Sequence, residues 1–132
     1  MDKNFYITTT LPYVNSAPHV GFAMELVRAD IIARVKKLQG FDVFFNTGTD
    51  EHGMKIYEKA LADNKSPQEF VDASFMRFKE SVKIFGMDES IMHFARTTSE
   101  NHIASAQEFW KRVNDNGYIY KCEECLEKKS KE

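Results

Sequence analysis

The sequence is poor in cysteine, in net charge and in long apolar runs, and each shortage excludes a class of protein. Cys122 and Cys125 are the two cysteines among 132 residues, so no disulfide framework is expected and a reducing, cytoplasmic setting is predicted. The formal net charge of −2 gives no sign of a nucleic-acid-binding protein. No apolar run is long enough to span a membrane, and the chain opens with Asp2 and Lys3 rather than with a signal sequence.

The composition that remains is typical of a packed globular domain. Apolar residues make up 42% of the chain, and 11 residues are phenylalanine, which argues against disorder. A length of 132 residues allows one domain at most, with enough chain to bury a core.

The first third of the chain has the pattern of a strand, a loop, a helix and a second strand. Residues Phe5 to Thr10 are aromatic and β-branched, which predicts a buried first strand. A loop follows from Leu11 to Pro18, and a helix from Val20 that ends before Gly40. Its predicted buried face comprises Val20, Ala23, Met24, Val27, Ile31, Val35 and Leu38. A second strand runs from Val43 to Thr47, so we expect a right-handed crossover between parallel strands in an α/β, doubly wound, Rossmann-like fold.

Three more helices and a third strand are predicted downstream. Helical patterning resumes from Met54 to Ala62, and the Ser-Pro-Gln-Glu run at 66–69 is a capping box that predicts another helix start. Ile91 to Arg96 is predicted to be the third strand, followed by a helix that closes at Gly117. Tyr118 to Tyr120 is predicted to begin a further strand.

An H-x-G motif, His19-Val20-Gly21, lies at the turn between the first strand and the first helix. The amides and dipole of a helix N-terminus favour phosphate, and Gly21 has no Cβ to hinder a nucleotide. An imidazole there can stabilise charge that develops on a phosphoryl group. The motif alone, however, favours a histidine that merely caps its own helix.

A second motif, G-T-D-E-H-G at Gly48 to Gly53, follows the second strand. Asp50 lies just beyond the carboxyl end of that strand, where open parallel sheets bind their ligands. A carboxylate at this place can hold an α-ammonium group by a charge-assisted hydrogen bond. An isolated G-T-D run is also common in turns where the aspartate accepts from nearby amides.

Together and in this order, the two motifs resemble the nucleotide-binding half of class I aminoacyl-tRNA synthetases. The stretch from Tyr6 to Gly53, Y-I-T-T-T-L-P-Y-V-N-S-A-P-H-V-G-F through T-G-T-D-E-H-G, resembles the methionyl-tRNA synthetases in particular. The resemblance continues more loosely to about Tyr120. It implies that residues 1–120 are the N-terminal half of a nucleotide-binding catalytic domain, and that residues 121–132 are a charged tail or the start of a connective insert.

The resemblance also implies roles for individual residues. The implied ATP-binding turn comprises Pro18, His19, Val20, Gly21 and Phe22, with His19 and Gly21 catalytic. The implied methionine pocket comprises Leu11, Tyr13 and Asp50, with motif support from Gly48, Thr49, Glu51, His52 and Gly53. The family signature is H-x-G-H, and its fourth position is Phe22 here, whose side chain cannot donate a hydrogen bond.

The implied activity is that of a methionine–tRNA ligase that uses ATP with Mg²⁺. Methionine attacks the α-phosphorus of ATP, pyrophosphate leaves, and the methionyl group passes from the adenylate to tRNA, which binds through parts mostly outside this chain. The family's lysine-rich K-M-S-K-S loop does not occur here, so an N-terminal piece with poor activity of its own is expected. The alternatives are a small H-x-G-H nucleotidylyltransferase and a non-catalytic synthetase-like module that binds tRNA or a protein.

Cys122 and Cys125 have half of the spacing of a zinc knuckle. A tetrahedral site needs two more ligands, and the chain has no other cysteine. Exposed free thiols are therefore favoured over a zinc site.

Overall fold

Three parallel strands form the central sheet in the order β1 (Asn4–Thr8), β2 (Asp42–Thr49) and β3 (Met92–Arg96). The computed structural model describes residues 3–121. β1 pairs with β2 over its whole length, and β2 pairs with β3 up to the register of Thr49 opposite Arg96. Consecutive parallel strands in this order require crossover connections, so the predicted α/β fold with a parallel sheet is confirmed.

Three helices connect the strands: α1 (Val20–Leu38), α2 (Met54–Ala62) and α3 (Pro67–Ile84). The predicted capping box at the start of α3 is present in both directions, between the Ser66 hydroxyl and the Glu69 amide and between the Glu69 carboxylate and the Ser66 amide. These elements belong to a compact unit that ends at Ser99. A second unit begins at Glu100 and contains α4 (Glu100–Asp115). Within residues 3–121, no helix is both long enough and apolar enough to cross a membrane.

The core of the first unit contains side chains from β2 and all three of its helices. Phe45 at the middle of β2 is fully buried, and Thr47 beside it exchanges a 2.8 Å hydrogen bond with the hydroxyl of Thr9. The apolar side chains of the buried cluster are Val14, Phe22, Leu26, Ala29, Ala33, Phe45, Ile56, Val71, Phe78, Val82 and Met87. The site described below lies where this core meets the carboxyl ends of the strands.

The predicted buried face of α1 is wrong. The apolar side chains that α1 buries are Phe22, Leu26, Ala29 and Ala33, whereas five members of the predicted face are largely exposed, namely Val20, Met24, Ile31, Val35 and Leu38. Both sets have helical spacing because α1 carries apolar residues on more than one side. Periodicity alone therefore allowed two stripes, and packing against the sheet selected the other one.

The predicted strand at Tyr118 to Tyr120 is absent from the described residues. The amide of Tyr118 donates to the carbonyl of Val113 at 3.1 Å, and the amide of Gly117 donates to the carbonyl of Asn114 at 2.9 Å. Gly117 has a φ of 75°. This pattern is a left-handed helix C-cap, so the backbone of Tyr118 completes α4 instead of pairing in a sheet.

Candidate functional site

The loop after β1 and the G-T-D-E-H-G motif meet at the carboxyl ends of β1 and β2. Tyr13 and Asp50 form an isolated parallel bridge. The Asp50 amide donates to the carbonyl of Pro12 at 2.9 Å, and the Asp50 carbonyl accepts from the amide of Val14 at 3.2 Å. Two of the three predicted methionine-pocket residues are therefore neighbours through their backbones.

Gly53 makes room for the ring of Tyr13. A Cβ at position 53 would lie 2.3 Å from the Tyr13 hydroxyl oxygen, and the φ of Gly53 is 125°. Such a contact is far inside van der Waals distance, and the backbone angle disfavours any side chain. The last glycine of the second motif and the tyrosine of the first loop are thus one packed feature.

The Asp50 carboxylate has only long contacts within the described residues. Its Oδ1 lies 3.5 Å from the backbone nitrogen of His52 and 3.5 Å from the hydroxyl of Thr97. Both distances are at the outer limit of hydrogen bonding. The half-buried carboxylate can therefore accept a shorter bond from a charged donor without breaking a strong one.

Glu51, in contrast, has a side chain that is fully buried. Its carboxylate accepts from the Thr49 hydroxyl at 2.7 Å, from Nε of Arg96 at 2.8 and 3.1 Å, and from the Thr98 hydroxyl. The hydroxyl of Thr97 accepts from the backbone amide of Glu51 at 2.8 Å. A carboxylate with this many donors has no free face for a ligand, so Glu51 braces the motif.

Arg96 extends the brace to α3. One terminal nitrogen of its guanidinium lies 2.5 Å from the Asp72 carboxylate, and the guanidinium lies 4.4 Å from the centroid of the Phe75 ring. Burial acts to lower the pKa of Arg96, but the hydrogen bonds to Glu51 and Asp72 raise it overall. The bond from Arg96 holds the pKa of Asp72 below its usual range. The guanidinium therefore stays charged between two carboxylates.

His52 and Gly48 also contact β3 or the residue after it, at the two ends of the motif. Nε2 of the exposed His52 lies 3.0 Å from the carbonyl of Thr97. A Cβ at Gly48 would lie 1.9 Å from the carbonyl oxygen of Ala95 on the neighbouring strand. Only glycine therefore allows β2 to approach β3 closely enough for the motif to reach Thr97.

His19 caps α1 with its own side chain. Nδ1 accepts from the amide of Gly21 at 3.1 Å and from the amide of Phe22 at 3.4 Å. An Nδ1 that accepts carries no proton, so the neutral ring carries it on Nε2. The side chain is exposed, which leaves this N–H able to donate to a ligand. The capping role and a ligand-binding role thus use different nitrogens of one ring.

Gly21 provides the space in which that ring folds back. A Cβ at position 21 would lie 3.0 Å from Cε1 and 3.1 Å from Nδ1 of His19. The spacing of the H-x-G motif is therefore explained by the cap.

Phe22, at the fourth position of the signature, is buried. Its ring is edge-on to that of Phe78, with 5.3 Å between centroids. An aromatic pair of this kind stabilises the junction of α1 with α3. The packing against Phe78 thus gives a structural reason for a phenylalanine at position 22.

A cavity of about 330 Å³ lies beside the His19 turn. Its residues come from the loop after β1, from the start of α1 and from α3, and are Thr10, Pro12, Tyr13, Asn15, Ser16, Ala17, Pro18, His19, Gly21, Phe22, Glu25 and Phe78. Tyr13 therefore lines the cavity and is bridged to Asp50 through its backbone, whereas the described lining does not include Leu11, Val20 or Asp50. Leu11 is half-buried.

Glu25 holds the rim of this cavity. Its carboxylate accepts from the amide of Thr10 at 2.7 Å and from the hydroxyl of Thr10 at 2.6 Å. The hydroxyl bond first, and then the amide bond, lower the pKa of Glu25. Glu25 thereby ties the end of β1 to the second turn of α1.

The interpretation of the sequence missed Glu25 and the segment Arg96 to Thr98. A signal for the segment was present, because it follows the third strand and so lies at the same sheet edge as the second motif. For Glu25 the sequence carries no such signal, since the contact depends on how α1 packs. Among residues 3–121, no cluster of three or more His, Cys, Asp or Glu side chains could hold a metal ion, and Cys122 and Cys125 lie outside the described residues.

Comparison with known proteins identifies the family. The model described as tRNA synthetases class I (M) matches residues 5–127, so the match extends beyond Tyr120, where the resemblance was expected to end. The methionine–tRNA ligase of Thermotoga maritima is 48% identical over 117 residues, which are 89% of this chain and 18% of that protein. That of Rickettsia conorii is 43% identical over 120 residues, which are 91% of this chain and 23% of that protein.

A solved structure agrees with the sequence relatives. The methionyl-tRNA synthetase of Mycobacterium tuberculosis, in complex with methionyl-adenylate, has a TM-score of 0.79 and 37% identity over 87% of this chain and 22% of that chain. The chain therefore spans about a fifth of the length of the relatives that it matches. With a family match over nearly its whole sequence and this agreement in fold, the chain belongs to the class I tRNA synthetases of the methionine type.

Proposed function

We propose that this chain is the methionine- and ATP-binding N-terminal part of the catalytic domain of a methionine–tRNA ligase. The observation that carries the proposal is the bridge between Tyr13 and Asp50. It joins the loop after β1 to the G-T-D-E-H-G motif, far along the sequence, beside the cavity that the His19 turn borders. Residues 1–120 would then be the first half of the domain, and residues 121–132 the start of a connective insert or a charged tail.

Methionine binds at the sheet edge in this proposal. The Asp50 carboxylate accepts from the α-ammonium group, because its present contacts are long and a charged donor makes a stronger bond. The Tyr13 ring, held over Gly53, packs against the thioether, for which an aromatic edge is a favourable neighbour. Leu11 supplies further apolar surface.

ATP binds at the start of α1. The amides from Val20 to Phe22 and the helix dipole attract its phosphates. A phosphate oxygen that accepts from Gly21 and Phe22 replaces Nδ1 of His19, and the freed imidazole then donates to the phosphates. Pro18 lies at the cavity wall. Phe22 contributes its amide and, through its buried ring, the position of the turn.

In the proposed reaction the methionine carboxylate attacks the α-phosphorus of ATP, and pyrophosphate leaves as methionyl-adenylate forms. His19 and the helix N-terminus stabilise charge on the phosphates. Magnesium would arrive bound to ATP, because Mg²⁺ in nucleotide sites is held largely by the phosphates and water. The methionyl group then passes to tRNA, which binds mostly through other parts of the enzyme. A cytoplasmic setting remains a prediction.

The family match argues against the small nucleotidylyltransferase alternative, because the matched family is the methionine class of tRNA synthetases. A non-catalytic binding module keeps the same fold but would not require a selective methionine site. Ligand selectivity therefore decides between the two remaining functions.

The test is a titration of the ¹⁵N-labelled chain with methionine, with valine and with ATP. Methionine should shift the resonances of residues 11–13 and 48–53, and valine at equal concentration should not. Asp50→Asn should abolish the response, because the α-ammonium loses a bond of about 1.5–3 kcal/mol.

Asp42→Asn is the matched control, since Asp42 is an exposed aspartate at the opposite end of the same strand. Equal responses to methionine and valine would contradict the methionine site and favour the non-catalytic module.

A further inference from the structure

We propose that Arg96 is a positioning residue for the amino acid site: by holding the buried carboxylate of Glu51, it determines the direction in which the Asp50 carboxylate faces. Asp50 is the residue that contacts the ligand, and Arg96 acts on Asp50 indirectly, through Glu51. The inference rests on the proposed function, because it assumes that Asp50 receives the α-ammonium group of methionine.

The first step is the alternation of side chains where β2 ends. Successive side chains of an extended segment point to opposite sides. Thr49 is fully buried and Glu51 is 3% exposed, whereas Asp50 is half-buried and His52 is exposed. The side that Glu51 occupies therefore dictates that Asp50 lies on the other side, next to Tyr13.

The second step is that Glu51 remains buried only because it is neutralised. A carboxylate without a partner in a buried position is strongly disfavoured. Arg96 is the cation in contact with it, and Nε lies within 3.1 Å of both carboxylate oxygens. The hydroxyls of Thr49 and Thr98 satisfy the remaining acceptor capacity. Without the guanidinium, Glu51 gains by turning outward, and the same rotation turns Asp50 away.

The third step is that Arg96 is itself held from the α3 side. Asp72 accepts from a terminal nitrogen at 2.5 Å, and the Phe75 ring lies under the guanidinium. Phe75 is in turn edge-on to Phe94 of β3, at 5.3 Å between centroids. The guanidinium therefore has one orientation, and lysine, which has a single ammonium and no planar group, cannot reproduce it.

A purely stabilising ion pair has different consequences from a positioning one. If Arg96 only stabilises the fold, its loss weakens the binding of every ligand in proportion to the unfolded fraction. If it positions Asp50, its loss affects ligands that carry an α-ammonium group and spares those that lack it. The ratio of the two affinities therefore distinguishes the roles.

The experiment measures dissociation constants of the 132-residue chain for methionine and for 4-(methylthio)butanoate, which is methionine without its amino group. We expect the unsubstituted chain to favour methionine roughly ten- to hundredfold, the range for one charge-assisted hydrogen bond. Arg96→Lys should reduce this preference to less than about threefold and change the affinity for the analogue by less than about twofold. Asp72→Asn is the control, because the asparagine amide oxygen can still accept from Arg96 and the contact of Arg96 with Glu51 is kept, so most of the preference should remain.

Every outcome bears on the proposal. A preference that survives Arg96→Lys overturns it, as does a parallel loss of both affinities. If Arg96→Lys does not fold, the same variant is measured in trimethylamine N-oxide, an osmolyte that favours the folded state without replacing the guanidinium, with the unsubstituted chain in the same solution as the reference. A refolded variant without the preference supports the proposal, and one that retains it overturns it.

The proposed function itself is tested separately by Asp50→Asn. If that change leaves the preference of the chain for methionine intact, Asp50 does not bind the ammonium group and the proposed site fails. A loss of preference with Asp50→Asn but not with Arg96→Lys leaves the site in place and overturns only the positioning role.

Discussion

The two motifs of this chain build opposite kinds of structure at the same sheet edge. Gly48, Thr49, Glu51 and His52 tie the G-T-D-E-H-G segment to β3 and to the residues that follow it, and a buried ion pair lies at its centre. The H-x-G turn has an exposed histidine, a cavity beside it and bonds mostly to its own helix. The G-T-D-E-H-G segment is held by residues from another strand, whereas the H-x-G turn is held by bonds within its own helix.

This difference follows from what each half has to bind in the proposed function. Recognition of an ammonium group needs one carboxylate in a defined direction, and the anchor supplies that direction at the cost of burying charges. Recognition of phosphates needs several amides that point into solvent, and a helix N-terminus provides them without long-range contacts. Substitution of Gly48 should therefore affect stability most, and substitution of the exposed His19 should mainly affect binding.

The largest expected effect is that of Gly48→Ala. The added Cβ would lie 1.9 Å from the Ala95 carbonyl oxygen, so β2 and β3 must separate where the anchor begins. We expect a loss of about 3 kcal/mol in the free energy of unfolding, measured by urea denaturation. Gly86→Ala is the control, because Gly86 also has a positive φ, 64°, but has open space around it. It should cost about 1 kcal/mol, and equal losses in the two variants would refute a special role for the β2–β3 contact.

A smaller effect is expected for Phe22→His, which restores the family signature. The ring at this position is buried against Phe78, so a histidine loses aromatic packing and buries a polar group. We expect a loss of about 2 kcal/mol in stability and no more than about a twofold change in ATP affinity, since the amide at position 22 is kept. A large gain in ATP affinity would show that the second imidazole reaches the phosphates.

His19→Ala and His19→Asn separate the two roles of the capping ring. The alanine variant loses the cap at a cost of about 1 kcal/mol, whereas asparagine is itself a good N-cap and should restore that stability. Both variants should bind ATP more weakly, because neither has the imidazole that donates to the phosphates. Thermal unfolding and ATP titration of the same samples check this, and full recovery of ATP binding by asparagine would mean that only the cap matters.

The smallest effect concerns the cavity rim. The bonds from Thr10 hold the pKa of Glu25 below its usual value, so Glu25 stabilises the folded state above about pH 4.3, the value for an unfolded chain. That contribution is lost as the pH falls through the lower, folded-state pKa. Glu25→Gln should therefore be less stable than the unsubstituted chain at pH 6, by less than about 1 kcal/mol, and the difference should shrink as the pH falls through the folded-state pKa. A difference that does not shrink with falling pH would point to packing instead of charge.

Features that depend on neighbouring residues were correctly predicted. The parallel strands, the capping box at Ser66 and the helix after the His19 turn all follow from local patterns of β-branched, capping and apolar residues. The position of Asp50 just beyond the carboxyl end of the second strand also followed from the sequence pattern. Family membership, which the motifs suggested, was confirmed by the comparisons.

Features that depend on which surfaces pack against each other were not correctly predicted from the sequence. The sequence pattern of α1 offered two apolar stripes, and the sheet selected the one that begins at Phe22. Tyr118 has the composition of a strand residue, yet its amide completes a helix cap. In each case the local signal was compatible with two structures, and contacts outside the local pattern decided between them.

The sequence by itself determined the order of elements, the place of the site at the sheet edge and the family, because these depend on spacing along the chain. Only the tertiary structure decided how each motif residue is used. It made Glu51 a buried carboxylate paired with Arg96 from another strand, left Asp50 with long contacts and turned Nδ1 of His19 onto its own helix. Those roles depend on which groups lose contact with water and which partners then satisfy them, and residues far apart in the sequence supply these partners.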